Sequence, residues 1–146
     1  MPELSNVELL RVWFRECPVI NPDNRFRVDY LAKEPTEYAL MAVPTSIITR
    51  ENVLGEEIPA DIQTINYIFA VKESYGSDSA QNASNLAFLE AVSEWIFAQN
   101  ALRNFPALND GKVKSIVPTL TGFPAEVGSD TAKYQIQLKI TYKRNA

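Results

Sequence analysis

Lys133-Tyr134-Gln135-Ile136-Gln137-Leu138-Lys139-Ile140-Thr141-Tyr142-Lys143 alternates without a fault. Side chains point to opposite sides of a β-strand at successive positions. Tyr134, Ile136, Leu138, Ile140 and Tyr142 therefore share one face, and the lysines, glutamines and Thr141 share the other. A strand with one wholly apolar row must lie in a sheet whose apolar side is covered by a second layer.

Working back from this strand, residues 121–131 contain Gly122, Pro124 and Gly128 and read as a loop. A strand is expected over about Lys112 to Thr119. Before it, Asp78 and Gln81 have capping-box spacing, in which the two side chains serve orphan N–H groups at a helix start. The helix they open is expected to reach about Ala101, roughly 35 Å at ~1.5 Å per residue. Phe88, Val92, Trp95, Ile96 and Gln99 lie along one side of it, with Leu89 widening the stripe. Asn104-Phe105-Pro106 ends it.

Nearer the N-terminus, Ser5 and Glu8 repeat the capping-box spacing, flanked by Leu4 and Leu9 as a hydrophobic staple. Leu10, Trp13, Phe14 and Cys17 fall at i, i+3, i+4 and i+7, so a helix is expected over Asn6 to Glu16, stopped by Pro18. From Arg25 the period becomes two, with Phe26, Val28 and Tyr30 on one side. Short strands follow over Tyr38 to Ala42 and about Ser46 to Arg50. Residues 51–60 are acidic, contain Gly55 and Pro59, and read as a mobile hairpin connection. A longer strand is expected over Ile62 to Glu73; Ile68 and Ala70 opposite its Tyr67, Phe69 and Val71 suggest a central strand covered on both faces. The fold class that results is α+β: one domain, 1–146, with a mixed, largely antiparallel sheet of about five to six strands and two helices packed on one face.

Composition narrows the chemistry. The 146 residues are 46% hydrophobic, enough for a buried core, and the formal net charge is −4. That balance disfavours general affinity for nucleic acid or an anionic membrane. There is no histidine and a single cysteine. An imidazole-served serine or cysteine nucleophile is excluded, as is ordinary zinc ligation. No glycine-rich phosphate loop occurs. Neither catalytic, cofactor nor metal-binding residues are expected. Met1-Pro2-Glu3 lacks the basic and apolar regions of a signal peptide, and no apolar run approaches a membrane span.

Three segments then stand together: Glu34-Pro35-Thr36-Glu37-Tyr38 with Val43-Pro44; Tyr75-Gly76, Asp78, Gln81-Asn82, Asn85, Phe88 and Trp95-Ile96; and Asp130 through Leu138. In this order and spacing the chain resembles the tail-terminator (minor capsid, tail-completion) family of phages and prophages from Gram-positive bacteria. The resemblance implies a role rather than a reaction. Such subunits form a homo-hexameric ring on the head-proximal end of the tail tube, stop its polymerisation, and contact the tube protein on one side and the head connector on the other. It implies a virion protein assembled in the host bacterial cytoplasm, with phage DNA passing through the ring. A small cytoplasmic ligand-binding or regulatory α+β domain is the alternative; it would require a concave pocket with convergent polar groups.

Candidate subunit or tube contacts follow from residue type. Glu51, Glu56, Glu57 and Asp61 are either a solvated acidic loop or a docking element that orders on assembly. Gln81 and Asn82 either cap the long helix or bond a neighbour. Phe123, set between turn residues, is hard to bury within its own domain. Lys133 and Lys139, with Lys143 and Arg144, read as a solvent-facing strand, a surface toward DNA, or a partner for the acidic loop of an adjacent subunit. The free subunit is expected to be monomeric or weakly associated.

Overall fold

The computed structural model describes residues 5–28, 37–119, 122–128 and 130–145. Helix α1 spans Asn6–Phe14, strand β1 Phe26–Val28, β2 Glu37–Val43, β3 Thr49–Glu51, β4 Glu57–Pro59 and β5 Ile62–Ser74. Helix α2 spans Ser79–Leu102, followed by β6 Gly111–Pro118, β7 Phe123–Val127 and β8 Thr131–Arg144. The fold is α+β with a mixed, largely antiparallel six-stranded sheet in the order β1-β2-β5-β8-β6, where β1 and β2 run parallel and the other described pairs antiparallel. The alternating stretch is β8, and it is the spine of the sheet. β5 pairs with it along one edge from Ser74↔Thr131 to Ile62↔Lys143. On its other edge β6 pairs with residues 138–144 and β7 with residues 132–135, so the two lie end to end like one strand interrupted.

Both helices pack on the face formed by Tyr67, Phe69 and Val71 of β5 and the even-numbered row of β8. Ala132, Tyr134, Ile136, Leu138, Ile140 and Tyr142 of that row are all buried. Phe14 of α1 stacks on Phe69 at a centroid distance of 5.1 Å, Phe88 of α2 lies 6.4 Å from the same ring, and Trp13 meets Trp95 at 4.6 Å. The two helices thus close over one aromatic cluster, which contributes packing beyond area alone. Trp13 donates its indole N–H to the Asn104 carbonyl (2.9 Å), so the polar edge of the ring is satisfied without leaving the core. Ser5 caps α1 by accepting from the Glu8 N–H (3.4 Å), and Asp78 caps α2 by accepting from Ala80 and Gln81 N–H.

Several expected boundaries shift. The first helix ends at Phe14 rather than Glu16, and α2 ends at Leu102 with Arg103 in the left-handed region, φ 57°. Leu4 of the staple, Asp29 and Tyr30 of the first strand, and Glu34-Pro35-Thr36 lie outside the described residues. The expected strand at 46–50 is β3, displaced toward Glu51 and separate from the main sheet. The two expected loops, 51–60 and 121–131, contain β4 and β7. β7 forms because the chain turns back across α2: a Cβ at Gly122 would stand 2.5 Å from the Leu89 Cβ, so only glycine permits the approach that leads the chain onto β8. β5 is central, with strands on both sides, but both helices lie on one of its faces. Opposite them, Ala39, Ala70, Gln135 and Phe123 form one cross-strand row, in which Ala39 and Ala70 are fully buried.

Candidate assembly interface

Among the described residues β3 and β4 pair only with each other, Thr49↔Pro59 through Glu51↔Glu57, and form a hairpin arm apart from the main sheet. Its turn is built locally. Gly55 N–H donates to the Asn52 carbonyl, Asn52 N–H to the Glu56 carbonyl, and the Asn52 side chain accepts from the N–H groups of Leu54 and Glu56. Gly55 takes φ +82°, a conformation that disfavours a side chain. The turn is therefore ordered without help from the body of the protein, and it holds Val53 and Leu54 at the tip, 102% and 77% exposed.

The arm's root is fixed by one residue. Gln63, 5% exposed, donates its amide to the carbonyls of Ile48 (2.7 Å) and Ala60 (2.9 Å) and accepts from the Ile48 N–H (3.0 Å). Placing both amide groups against backbone satisfies a side chain that would otherwise be costly to bury. It ties both legs of the arm to the first turn of β5. Ile47 and Ile48, at the root, are also exposed.

Glu51, Glu56, Glu57 and Asp61 lie on this arm and at its root, all exposed. The Asp61 carbonyl accepts the Arg144 N–H (2.7 Å), so the arm leaves the sheet beside the end of β8. At the same end, residues 105–108 carry the chain from α2 to β6 and border an open groove of about 470 Å³, lined by Phe105, Pro106, Ala107, Leu108, Gly111 and Val113 with Arg103, Lys112 and Asn145 as polar members. A second concavity of about 310 Å³ shares Lys112 and Asn145 and is otherwise lined by Lys114, Lys143 and Arg144. Lys114 occupies a bulge, the extra residue between the pairs Val113↔Tyr142 and Ser115↔Thr141. A bulge and lysines on an outer strand deter edge pairing, and here they also concentrate positive charge. Asp110 is the acidic neighbour, and its carboxylate is engaged by Asn6 and by the Tyr142 hydroxyl.

The remaining sequence candidates sit elsewhere. Gln81 donates to Asn85, which in turn donates to the Ser74 carbonyl; Asn82 donates to the Gly76 carbonyl, while its buried Oδ1 has no hydrogen-bond partner among the described residues. Phe123 is half-buried in β7 opposite Gln135 rather than displayed on a loop. Lys133 lies 3.8 Å from Glu126, and Lys139 is exposed on the helix-free face. Gln81, Asn82, Phe123 and Lys133 thus gather near the far end of the sheet. About 40 Å of β5, at ~3.3 Å per residue, separates that end from the arm. Arm and lysines at 133 and 139 are not brought together within one chain.

Sequence reasoning missed the tip residues Val53 and Leu54, the groove, and the pair Lys112 and Lys114. Asn52 with Gly55 carried a turn signal, and Lys112-Val113-Lys114 carried the alternation of an edge strand. Among the described residues, no group of three or more His, Cys, Asp or Glu side chains is placed to hold a metal ion, and no helix is long and apolar enough to cross a membrane. Burial pushes the Cys17 thiol up, against the backbone N–H groups of Val19 and Ile20, which keeps it protonated. What the exposed side chains offer is contact: an acidic stem, an apolar tip, and a basic, partly apolar groove.

No family model matches the chain, and no curated protein matches it. Among solved structures, one known by a sequence identifier alone is 15% identical, covers 96% of this chain and 97% of its own, and superposes with a TM-score of 0.47. A likeness of that order carries no functional argument.

Proposed function

We propose that this chain is a structural assembly subunit, and more narrowly a phage tail terminator. It would sit as a hexameric ring on the head-proximal end of the tail tube, halt tube growth, and present its other side to the head connector. The observation that carries the reading is the arm. Val53 and Leu54 stand 102% and 77% exposed side by side at the tip of a locally ordered hairpin, a placement that suits a contact element covered on assembly. The resemblance of the ordered trio of sequence segments to tail terminators supports the narrower assignment, and the α+β class is compatible with it.

In this reading the work is steric. The subunit matches the growing face of the tube and offers no equivalent face to the next tube subunit. The two ends of the sheet, one bearing the arm and groove and the other the start of α2 with β7, give the ring two different sides. Lys139, on the helix-free face of β8, is a candidate for lining the DNA passage.

The test is genetic and visual. A phage or inducible prophage deleted for this gene is imaged by negative-stain electron microscopy. Tails of uncontrolled length and heads left unjoined are expected. Normal-length tails joined to heads would overturn the proposal.

A further inference from the structure

We infer that subunits join head to tail, the arm of one copy seating in the groove between α2 and β6 of a second copy. The inference rests on the assembly-subunit reading and names the contact that reading leaves open. Its first ground is charge. The arm carries Glu51, Glu56, Glu57 and Asp61 against a single guanidinium, Arg50, whereas Lys112, Lys114, Lys143 and Arg144 surround the concavity beside the groove. Among the described residues the ion pairs formed are Arg27–Glu37 and Lys133–Glu126, so no direct ion pair ties these two opposite clusters together within the chain. The second ground is polarity along each element. The arm is apolar at its tip and acidic on its stem. The groove is apolar at Phe105 to Leu108 and adjoins the basic concavity at Lys112 and Asn145, which both share, so one orientation satisfies both parts at once.

Gln63 supplies the third ground. By holding both legs of the arm to the start of β5, it fixes the direction in which the arm leaves the sheet, so order need not be gained on binding. The contact joins two different patches, which makes it heterologous; such contacts close into rings when the rotation allows. A symmetric dimer would need the arm to meet another arm, bringing carboxylates onto carboxylates.

Disulfide trapping tests this with the whole chain. Val53→Cys and Ala107→Cys are made separately and mixed at high concentration and near-physiological ionic strength with copper phenanthroline; buried Cys17 is left in place. The mixed dimer is expected to form at least about tenfold faster than Val53→Cys mixed with Ala83→Cys on the outer side of α2, a contact difference of roughly 1.4 kcal/mol. The double variant Val53→Cys/Ala107→Cys is expected to give a ladder of oligomers. Lys112→Glu with Lys114→Glu on the groove subunit slows trapping to the control rate, and Glu56→Lys with Glu57→Lys on the arm subunit restores it. Equal rates for Ala107→Cys and Ala83→Cys overturn the inference. If that happens while tails made without the protein remain abnormal, the ring forms through another surface. If trapping succeeds while tails are normal, the contact stands and the tail role falls.

Discussion

Gln63 and Tyr142 are partners across the β5–β8 ladder, and each resolves a different polar problem at the arm end of the sheet. Replacing Gln63 by Leu leaves the Ile48 N–H and two carbonyls without their side-chain partner. A loss of about 1–3 kcal/mol is expected by urea denaturation, with faster hydrogen exchange at the Ile48 amide as the local signature. Tyr142 donates to Asp110 (3.3 Å), and its phenol is raised above the usual tyrosine value by burial first, then by the Asp110 charge and that hydrogen bond, with Arg144 opposing. A raised phenol favours the neutral form in the folded protein. The stability this confers is complete below the unfolded value of about 10 and is lost as pH climbs through the folded value. The stability gap between the native chain and Tyr142→Phe should therefore shrink above pH ~10, measured by paired urea titrations from pH 8 to 12. At this scale the sequence was legible where a residue's neighbours are local, as with Ser5 and Asp78 at the helix starts. Gln63 was opaque, because its partners Ile48 and Ala60 meet it only after the arm folds back. Gln81 was half legible: its capping spacing was right, but its side chain bonds Asn85.

The elements divide by what they bury. β2, β5, β6 and β8 share a core with both helices, and truncating Phe14 beneath Phe69 would cost about 3–5 kcal/mol. The β3–β4 arm stands apart from the main sheet, with its strand pairing internal to itself. Excising residues 49–59 in favour of a short Gly-Ser link should leave the thermal midpoint of the body within a few degrees by calorimetry while abolishing trapping through Ala107→Cys. A collapse of the midpoint would mean that the arm is part of the core. The long strands could be read because a period of two, sustained over many residues, fits an extended chain with one covered face and does not fit a helix. β4 and β7 could not. Each is short and contains a proline, Pro59 or Pro124, which lacks the N–H of a central strand, and proline argues for a loop unless the position is an edge. Both strands do lie at edges, and that placement depends on Gly122 against Leu89 and on the Asn52 turn, contacts that hydropathy does not encode.

Across the whole molecule, the pairing of β5 with β8 over their full length decides which candidates can act together. It sends the acidic arm to one end with Lys112, Lys114, Lys143 and Arg144, and leaves Lys133 at the other, beside Glu126. Sequence alone could propose that acid meets base between subunits; it could not choose which lysines, since that depends on the register. The net charge of −4 adds a constraint of its own, because like-charged copies repel at long range. Association must then come from the local attraction of arm and groove overcoming a general repulsion, and the two respond oppositely to salt. With a screening length of about 8 Å at physiological ionic strength, the long-range repulsion fades first, and the close pairs at the groove weaken only at higher salt. Sedimentation of the native chain across ionic strength should therefore show weak self-association that peaks at an intermediate concentration of salt and falls beyond it. For Lys112→Glu/Lys114→Glu, which makes the chain more acidic and removes the attraction, the peak should vanish and association should only rise with salt. A native profile that rises without a maximum would mean that apolar contacts, rather than the charged stem, hold the copies together.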